Sequence, residues 1–425
     1  MAEHIFTGFG FGPIQGGLFV KEAFQSGNFT RIAVAEIDQE LVDAIRANKG
    51  SYYVNVAKSD GIEVLKIDNI ELFNPHIASN KKILLDILAK STEITTSLPS
   101  VNFYDSGGAD SVTSLIADGL KNSRAEATVI YTAENDNRAA EILQQAVAKK
   151  ISIPLSKKCQ FLNTVIGKMS RVVTDPAEIA ELKLAPITDG IKRAFLVEEF
   201  NHILVSQIRI SDFKPGIEVF IEKDDLLAFE EAKLYGHNAI HALLAYLGAM
   251  KGHTKMTELK KDRRIMKTAT GAFINESGAA LIRKYAHLQD ELFTETGYKH
   301  YAEDLLERMT NPYLADTIER AGRDPVRKLG ANDRIFGTMA VALEYGIEPN
   351  NMALGAMAGI AALLKKAEEN NLPCNLRFDD WRKLDNAKIR KVIDWIWDKQ
   401  KASHSEQIIK YVQNAHKRLT TFVNE

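Results

Sequence analysis

Short apolar runs rich in β-branched residues recur through the first 150 residues: HIFTGFG, RIAVAEID, EITTSLPS and ATVIYTAEN. The segments between them, such as QELVDAIRANK and GADSVTSLIADGL, space their apolar residues with a helical period. The runs have the length and composition of buried strands, and the spaced segments are amphipathic helices by their pattern. This β-α-β rhythm predicts a parallel sheet with helices on both faces. From about Phe195 the pattern changes. Strand-like pieces persist through FIEKDD near residue 220. Helical period then dominates in LLAFEEAKLYGHNAIHALLAYLGAM, GAALIRKYAHLQDELF, YAEDLLERMTN, ALGAMAGIAALLKKAEENN, AKIRKVIDWIWDKQKA and SEQIIKYVQNAHKRLTTFV. The expected fold class is therefore α/β plus all-α, with an α/β domain over residues 1–200 and a mainly helical domain over 201–425.

Composition narrows this picture. A chain of 425 residues is long for one core, which agrees with two domains. The formal net charge of -2 gives no global case for binding nucleic acid or a membrane. The run MALGAMAGIAALL from Met352 is too short to span a bilayer and predicts a buried helix of small residues. Two cysteines, Cys159 and Cys374, make neither a disulfide framework nor a metal pattern. They are expected to be buried or inert thiols, and a reducing cytoplasm suits them. The N-terminus lacks the basic and apolar regions of a signal peptide. The charge-dense KKDRR at 260–264 is expected on a solvated helix surface.

Four patches carry candidate chemistry. In GFGFGPIQGG the glycines at Gly8, Gly10 and Gly12 follow an apolar run and precede an amphipathic stretch. Such a turn lets backbone N–H groups approach a pyrophosphate at a helix N-terminus. The third glycine of G-x-G-x-x-G is replaced by Gln15, with Gly16 and Gly17 next to it. The following strand ends in Glu36 and Asp38. An acid there accepts ribose hydroxyls and repels a 2′-phosphate, which favours NAD over NADP. A glycine-rich turn of another doubly wound fold, with Glu36 as a surface cap, is the alternative. The second patch is KLYGHNAIH, where Lys233, Asn238 and His241 share one side of a helix at about 100° per residue. A lysine in a dry site can act as a general base toward an alcohol, while Asn and His hold oxygens. A snorkelling lysine and a packed core histidine explain the same residues structurally. The third patch, NPYLADTIERAGRDPVRKLGANDR, could form an anion site from Arg327, Lys328 and Arg334, or equally a set of interhelix salt bridges. The fourth is AEN at 133–135, where polar residues follow a strand and Asn135 also suits a helix N-cap. No His/Cys/carboxylate set stands at metal spacing, so no metal is expected.

Together these patches resemble the polyol-specific long-chain dehydrogenases, and the resemblance runs in order through most of the chain. It takes in the glycine loop, AVAEIDQELVDAI, SYYVNV, ITTSLPS, AENDNRA, FLNTVIGK, KLYGHNAIHALLAYLG, the NPYL segment and LEYGI. The family signature K-x4-N-x2-H is met by Lys233, Asn238 and His241. The resemblance implies an N-terminal Rossmann-type NAD-binding domain, a helical catalytic domain and a site in the cleft between them. Lys233 would be the general acid/base, Glu230 its proton relay, and Asn238 with Asn135 the donors to the reacting oxygen. His241 would bind substrate. Gly10, Gly12, Ile14, Gln15, Glu36, Thr96 and Asn135 would hold NAD. Members acting on free mannitol carry Ser-Lys where this chain has Arg327 and Lys328. The basic pair, with Arg334, therefore implies a sugar phosphate substrate, D-mannitol 1-phosphate paired with D-fructose 6-phosphate. The family's V-D-R appears as Ile166-Gly167-Lys168, which removes a carboxylate. A sugar acid or unphosphorylated polyol as substrate, and a silent NAD-binding sensor, are the competing readings. Oligomeric state is not legible.

Overall fold

The computed structural model describes residues 4–151, 157–200, 202–398, 400 and 402–424. The chain divides into two compact units, Met1–Leu227 and Ala228–Glu425.

The first unit is built on an eight-stranded sheet. Its strands are β1 (Ile5–Phe9), β2 (Arg31–Ala35), β5 (Ile70–Phe73), β6 (Glu93–Thr96), β7 (Thr128–Thr132), β8 (Cys159–Ile166), β11 (Ile203–Ser206) and β12 (Phe220–Lys223). Their spatial order is β12-β11-β8-β7-β6-β1-β2-β5. The six strands from β5 to β8 run parallel. Numbered by their own chain order they lie 3-2-1-4-5-6, the doubly wound order whose reversal point, between β1 and β6, opens a ligand crevice at the carboxyl ends of the strands. Alternate residues enter two separate cores. Phe6, Val34 and Tyr131 pack on one face, and Ile5, Ala33 and Ile130 on the other. Both faces are therefore covered, as a parallel sheet requires. The strand-like pieces near residue 220 belong to this unit, as β12 pairs with β11. A second sheet, β4-β3-β10-β9, uses β3 (Tyr52–Ala57), β4 (Ile62–Ile67), β9 (Ser170–Val173) and β10 (Ala194–Glu198).

Gln15, at the place of the missing glycine, is fully buried. Its Nε2 donates to Thr95 Oγ1 at 2.7 Å. Its side chain lies across Gly8, where a Cβ would collide with it. Close helix–strand approach is thus obtained by a glycine on the strand. Gly17 adds a second close approach, since a Cβ there would come within 2.5 Å of Val197 Cγ1 in β10.

The second unit is helical. The helix Ala239–Met250 is apolar nearly all round and packs on Asn350–Lys365, the small-residue helix expected from the sequence, which is buried over most of its length. Two expectations gain detail. Cys374 is exposed; Cys159 is half-buried, and burial pushes its thiol up to about 12. Within KKDRR, Asp262 is not merely solvated: it caps Arg263–Thr270 and pairs with Lys251 Nζ at 2.9 Å. Among the described residues, no helix is long and apolar enough to cross a membrane.

Candidate active site

In the first unit a cavity of about 630 Å³ opens at the carboxyl ends of β1 and β2. Gly10, Gly12 and Ile14 line it, together with Glu36, Ser97 and Leu98. Gly10 has φ +79°, and a Cβ there would meet Ser97 O at 2.9 Å, so the turn demands glycine. A Cβ on Gly12 would meet nothing within 4 Å and would project into open space. Glu36 Oε2 accepts from Phe11 N at 2.6 Å, and its Oε1 accepts from Ile37 N at 2.7 Å and Asp38 N at 2.9 Å. A carboxylate offers about four lone-pair sites. The three backbone bonds fix Glu36 and leave room for one further donor.

Thr96 and Gln15 are not in the cavity wall. Thr96 is buried and donates to Glu134 Oε2 at 2.8 Å. Asn135 is exposed just beyond β7 and lies outside this wall. Sequence reasoning missed its neighbour Glu134. That buried carboxylate also accepts from Leu98 N at 2.8 Å and Tyr104 Oη at 2.5 Å, which ties down the Ser97–Leu98 rim of the cavity. Its only signal was its place beside Asn135 at a strand end. At the departed V-D-R motif, Lys168 is buried and donates to Phe200 O at 2.7 Å, so it is an anchor between β8 and β10.

In the second unit, Lys233 and Asn238 lie in one wide helical turn, Ala232–Asn238, that closes five residues apart. An i→i+5 turn sets residue i+5 over residue i, so Asn238 falls closer to the side of Lys233 than an α-helix would place it. Such bulges are concentrated at functional sites. Lys233 is half-buried. Burial lowers its pKa to about 8; Glu230 opposes the shift and the Arg334 charge adds to it. His241 Nε2 lies 3.0 Å from Asp316 Oδ2. Asp316 is buried and receives Arg320 Nε at 2.6 Å and Nη2 at 2.7 Å. Burial works to raise the Asp316 pKa, but His241 and Arg320 hold it well below the carboxylate range. Asp316 therefore fixes the His241 ring, a role the sequence did not reveal, although the acid stands within the quoted NPYL segment. His237, buried next to His241, is kept neutral by burial and by the surrounding cations.

The basic segment forms ion pairs, and they are local ones. Arg327 Nε donates to Asp324 at 2.5 Å, and Arg334 Nε donates to Asp333 at 2.8 Å. Lys328 is buried, with Nζ donating to Ala321 O at 2.6 Å. Burial brings its pKa down to about 7, helped by Arg334, Arg327 and Arg323. The three sequence-predicted cations thus form one electrostatic cluster that the nearby aspartates offset only in part. Among the described residues, no group of three or more His, Cys, Asp or Glu is placed to hold a metal ion.

Residues 225–418 match the mannitol dehydrogenase C-terminal domain. The chain is 28% identical over 369 residues to mannitol-1-phosphate 5-dehydrogenase of Buchnera aphidicola subsp. Acyrthosiphon pisum (strain APS), covering 86% of this chain and 87% of that one. It shares its fold with D-sorbitol dehydrogenase in substrate-free form, at TM-score 0.76 and 14% identity, over 98% of this chain and 93% of the other. The same holds for Pseudomonas fluorescens mannitol 2-dehydrogenase in ternary complex with NAD and D-mannitol, at TM-score 0.69 and 17% identity, over 100% and 94%. The resemblance to polyol-specific long-chain dehydrogenases is borne out.

Proposed function

We propose that this chain is an NAD-dependent oxidoreductase that interconverts a polyol phosphate and a ketose phosphate, with D-mannitol 1-phosphate and D-fructose 6-phosphate as the pair. The observation that carries the chemistry is Lys233, a lysine lowered to about 8 in the same wide turn as Asn238. The likeness to enzymes named for mannitol 1-phosphate and mannitol supports the substrate class. The glycine cradle and Glu36 fit a dinucleotide: Gly12 leaves space for a pyrophosphate, and Glu36 keeps one acceptor site for a ribose hydroxyl.

The glycine cradle and Glu36 would hold NAD, which would supply the hydride acceptor in oxidation and, as NADH, the hydride donor in reduction. In the oxidation direction Lys233, in its neutral form, takes the proton of the reacting hydroxyl. Asn238 donates to the same oxygen as it gains carbonyl character. His241, held by Asp316, orients a neighbouring hydroxyl. Glu230 draws the proton from Lys233 toward solvent, which resets the base. In the reduction direction the charged Lys233 returns the proton to the alkoxide.

Arg327, Lys328 and Arg334 would take the phosphate, and the depressed Lys328 supports this. Crowded cations that push a lysine down to about 7 are relieved by an added dianion. One observation favours a second reading. Arg327 and Arg334 already have aspartate partners, as they would in an enzyme of free polyols or sugar acids. NADH oxidation with fructose 6-phosphate, run beside free fructose and a hexonate dehydrogenation assay, decides between them. Turnover of fructose 6-phosphate alone is expected. Equal turnover of free fructose would end the phosphate assignment, and loss of all turnover would favour the silent sensor.

A further inference from the structure

The ribose corner of the first-unit cavity holds a cation that the sequence does not reveal. Arg193 lines the same wall as Glu36, Ile37 and Asp38, although it is 155 residues beyond Asp38. Its Nη2 donates to Asp38 Oδ2 at 2.6 Å. The two side chains keep 36% and 32% of their exposure, so both are reachable from the cavity. Asp38 Oδ1 also accepts from Leu41 N at 3.3 Å and caps the helix Gln39–Ala47. The Arg193–Asp38 bond is one factor holding the Asp38 carboxyl below its ordinary range, against the opposing effect of burial. A guanidinium presents five N–H donors, and it is the side chain best matched to a phosphate. An arginine at the ribose corner is what an enzyme preferring NADP uses. Here that arginine faces an aspartate.

We infer that Asp38 is a cofactor-specificity residue that acts by neutralising Arg193, so that a latent 2′-phosphate acceptor is masked in a site whose selection Glu36 completes. This rests on the cavity being the dinucleotide site. The charges at the corner are Glu36 (-1), Asp38 (-1) and Arg193 (+1), which leaves -1 facing an incoming 2′-phosphate. Removing the Asp38 charge brings the corner to zero and leaves the guanidinium free to accept. Glu36 is untouched and still serves the ribose. Because Asn and Ser cap helices about as well as Asp, Asp38→Asn and Asp38→Ser remove the charge without removing the cap. The half-exposed ion pair itself contributes little to stability.

The test is fluorescence titration of the full-length chain with NADH and NADPH, reported as the ratio of the two dissociation constants. Asp38→Asn and Asp38→Ser should each move the ratio toward NADPH by roughly tenfold, the low end expected for one charge-assisted hydrogen bond. Arg193→Leu in the Asp38→Asn background should abolish that gain. Arg193→Leu alone leaves Asp38 unpaired and should move the ratio away from NADPH. The inference is overturned by an unchanged ratio in both Asp38 variants, or by a gain that survives Arg193→Leu. A wild type that binds NADPH as tightly as NADH overturns it too. Failure of every form, wild type included, to bind NADH would instead remove the dinucleotide reading itself, and the inference with it.

Discussion

Lys233 offers the sharpest test of the proposed chemistry, because its environment fixes a pH at which the enzyme must switch. An ordinary lysine near 10.5 is neutral in about one molecule in 3,000 at pH 7. At about 8 the neutral fraction becomes roughly one in ten, a gain of roughly 300-fold in the competent base. Oxidation needs the neutral amine, so kcat/KM for mannitol 1-phosphate should rise with pH to a plateau, with a midpoint near 8. Reduction needs the ammonium, so kcat/KM for fructose 6-phosphate should fall with pH through the same midpoint in the free enzyme. The two flanking charges predict opposite displacements. Glu230 raises the Lys233 pKa and Arg334 lowers it. Glu230→Gln should therefore move the midpoint down, and Arg334→Met should move it up. Lys233→Ala should lose about 10²–10⁴-fold in turnover while still binding NADH in a fluorescence titration. Steady-state rates in both directions from pH 5.5 to 10 measure all of this. A midpoint that stays fixed in both charge variants, or near-normal turnover in Lys233→Ala, would refute the assignment of the base.

Three further outcomes follow from separate parts of the molecule. Glu36→Ala removes the carboxylate that orders Phe11 N and that the proposed function sets against the ribose, so NADH should bind more weakly and the gap to NADPH should narrow; an unchanged NADH dissociation constant would place the ribose elsewhere. Arg327→Ala should raise KM for fructose 6-phosphate by about tenfold, toward the weak end for a charge-assisted bond because Asp324 already engages that guanidinium, and should leave KM for NADH alone. A lower unfolding temperature with unchanged KM would make Arg327 a structural partner only. Gly8→Ala should destabilise the chain by about 1–3 kcal/mol through collision with the buried Gln15, and Gln15→Ala in the same chain should recover most of the loss. Additive losses in denaturant unfolding would show that the two positions do not share one space.

The parallel sheet was legible because burial on both faces of β1, β2, β6 and β7 forces continuous β-branched runs, and no other common arrangement needs them. The second sheet was not: β3 and β4 are neighbours in the chain, but β9 and β10 come from a distant part of it, and β10 joins β3 across a separation that no local pattern records. The same distinction divides the candidate site. Lys233, Asn238 and His241 lie within one short segment, so a sequence motif could carry them. The residues that position the chemistry do not share a segment with it. Asp316 reaches His241 from 75 residues away, Glu134 reaches Thr96 from 38, and Arg193 reaches Asp38 from 155. Even within the motif, helical spacing gave only a shared side. At about 100° per residue Asn238 falls at the edge of the side that holds Lys233 and His241, and the wide turn that draws it closer to Lys233 leaves no mark in the apolar period. Gln15 shows the limit of motif matching from the other side. The fingerprint asks for a glycine on the helix because helix and strand must approach closely, but the requirement belongs to the pair of surfaces. Gly8 on β1 meets it equally well, and the bulky Gln15 then spans the gap to Thr95 on β6. The glycine lost from the motif had moved to the opposite surface, where it is recognisable only once the two elements are seen in contact.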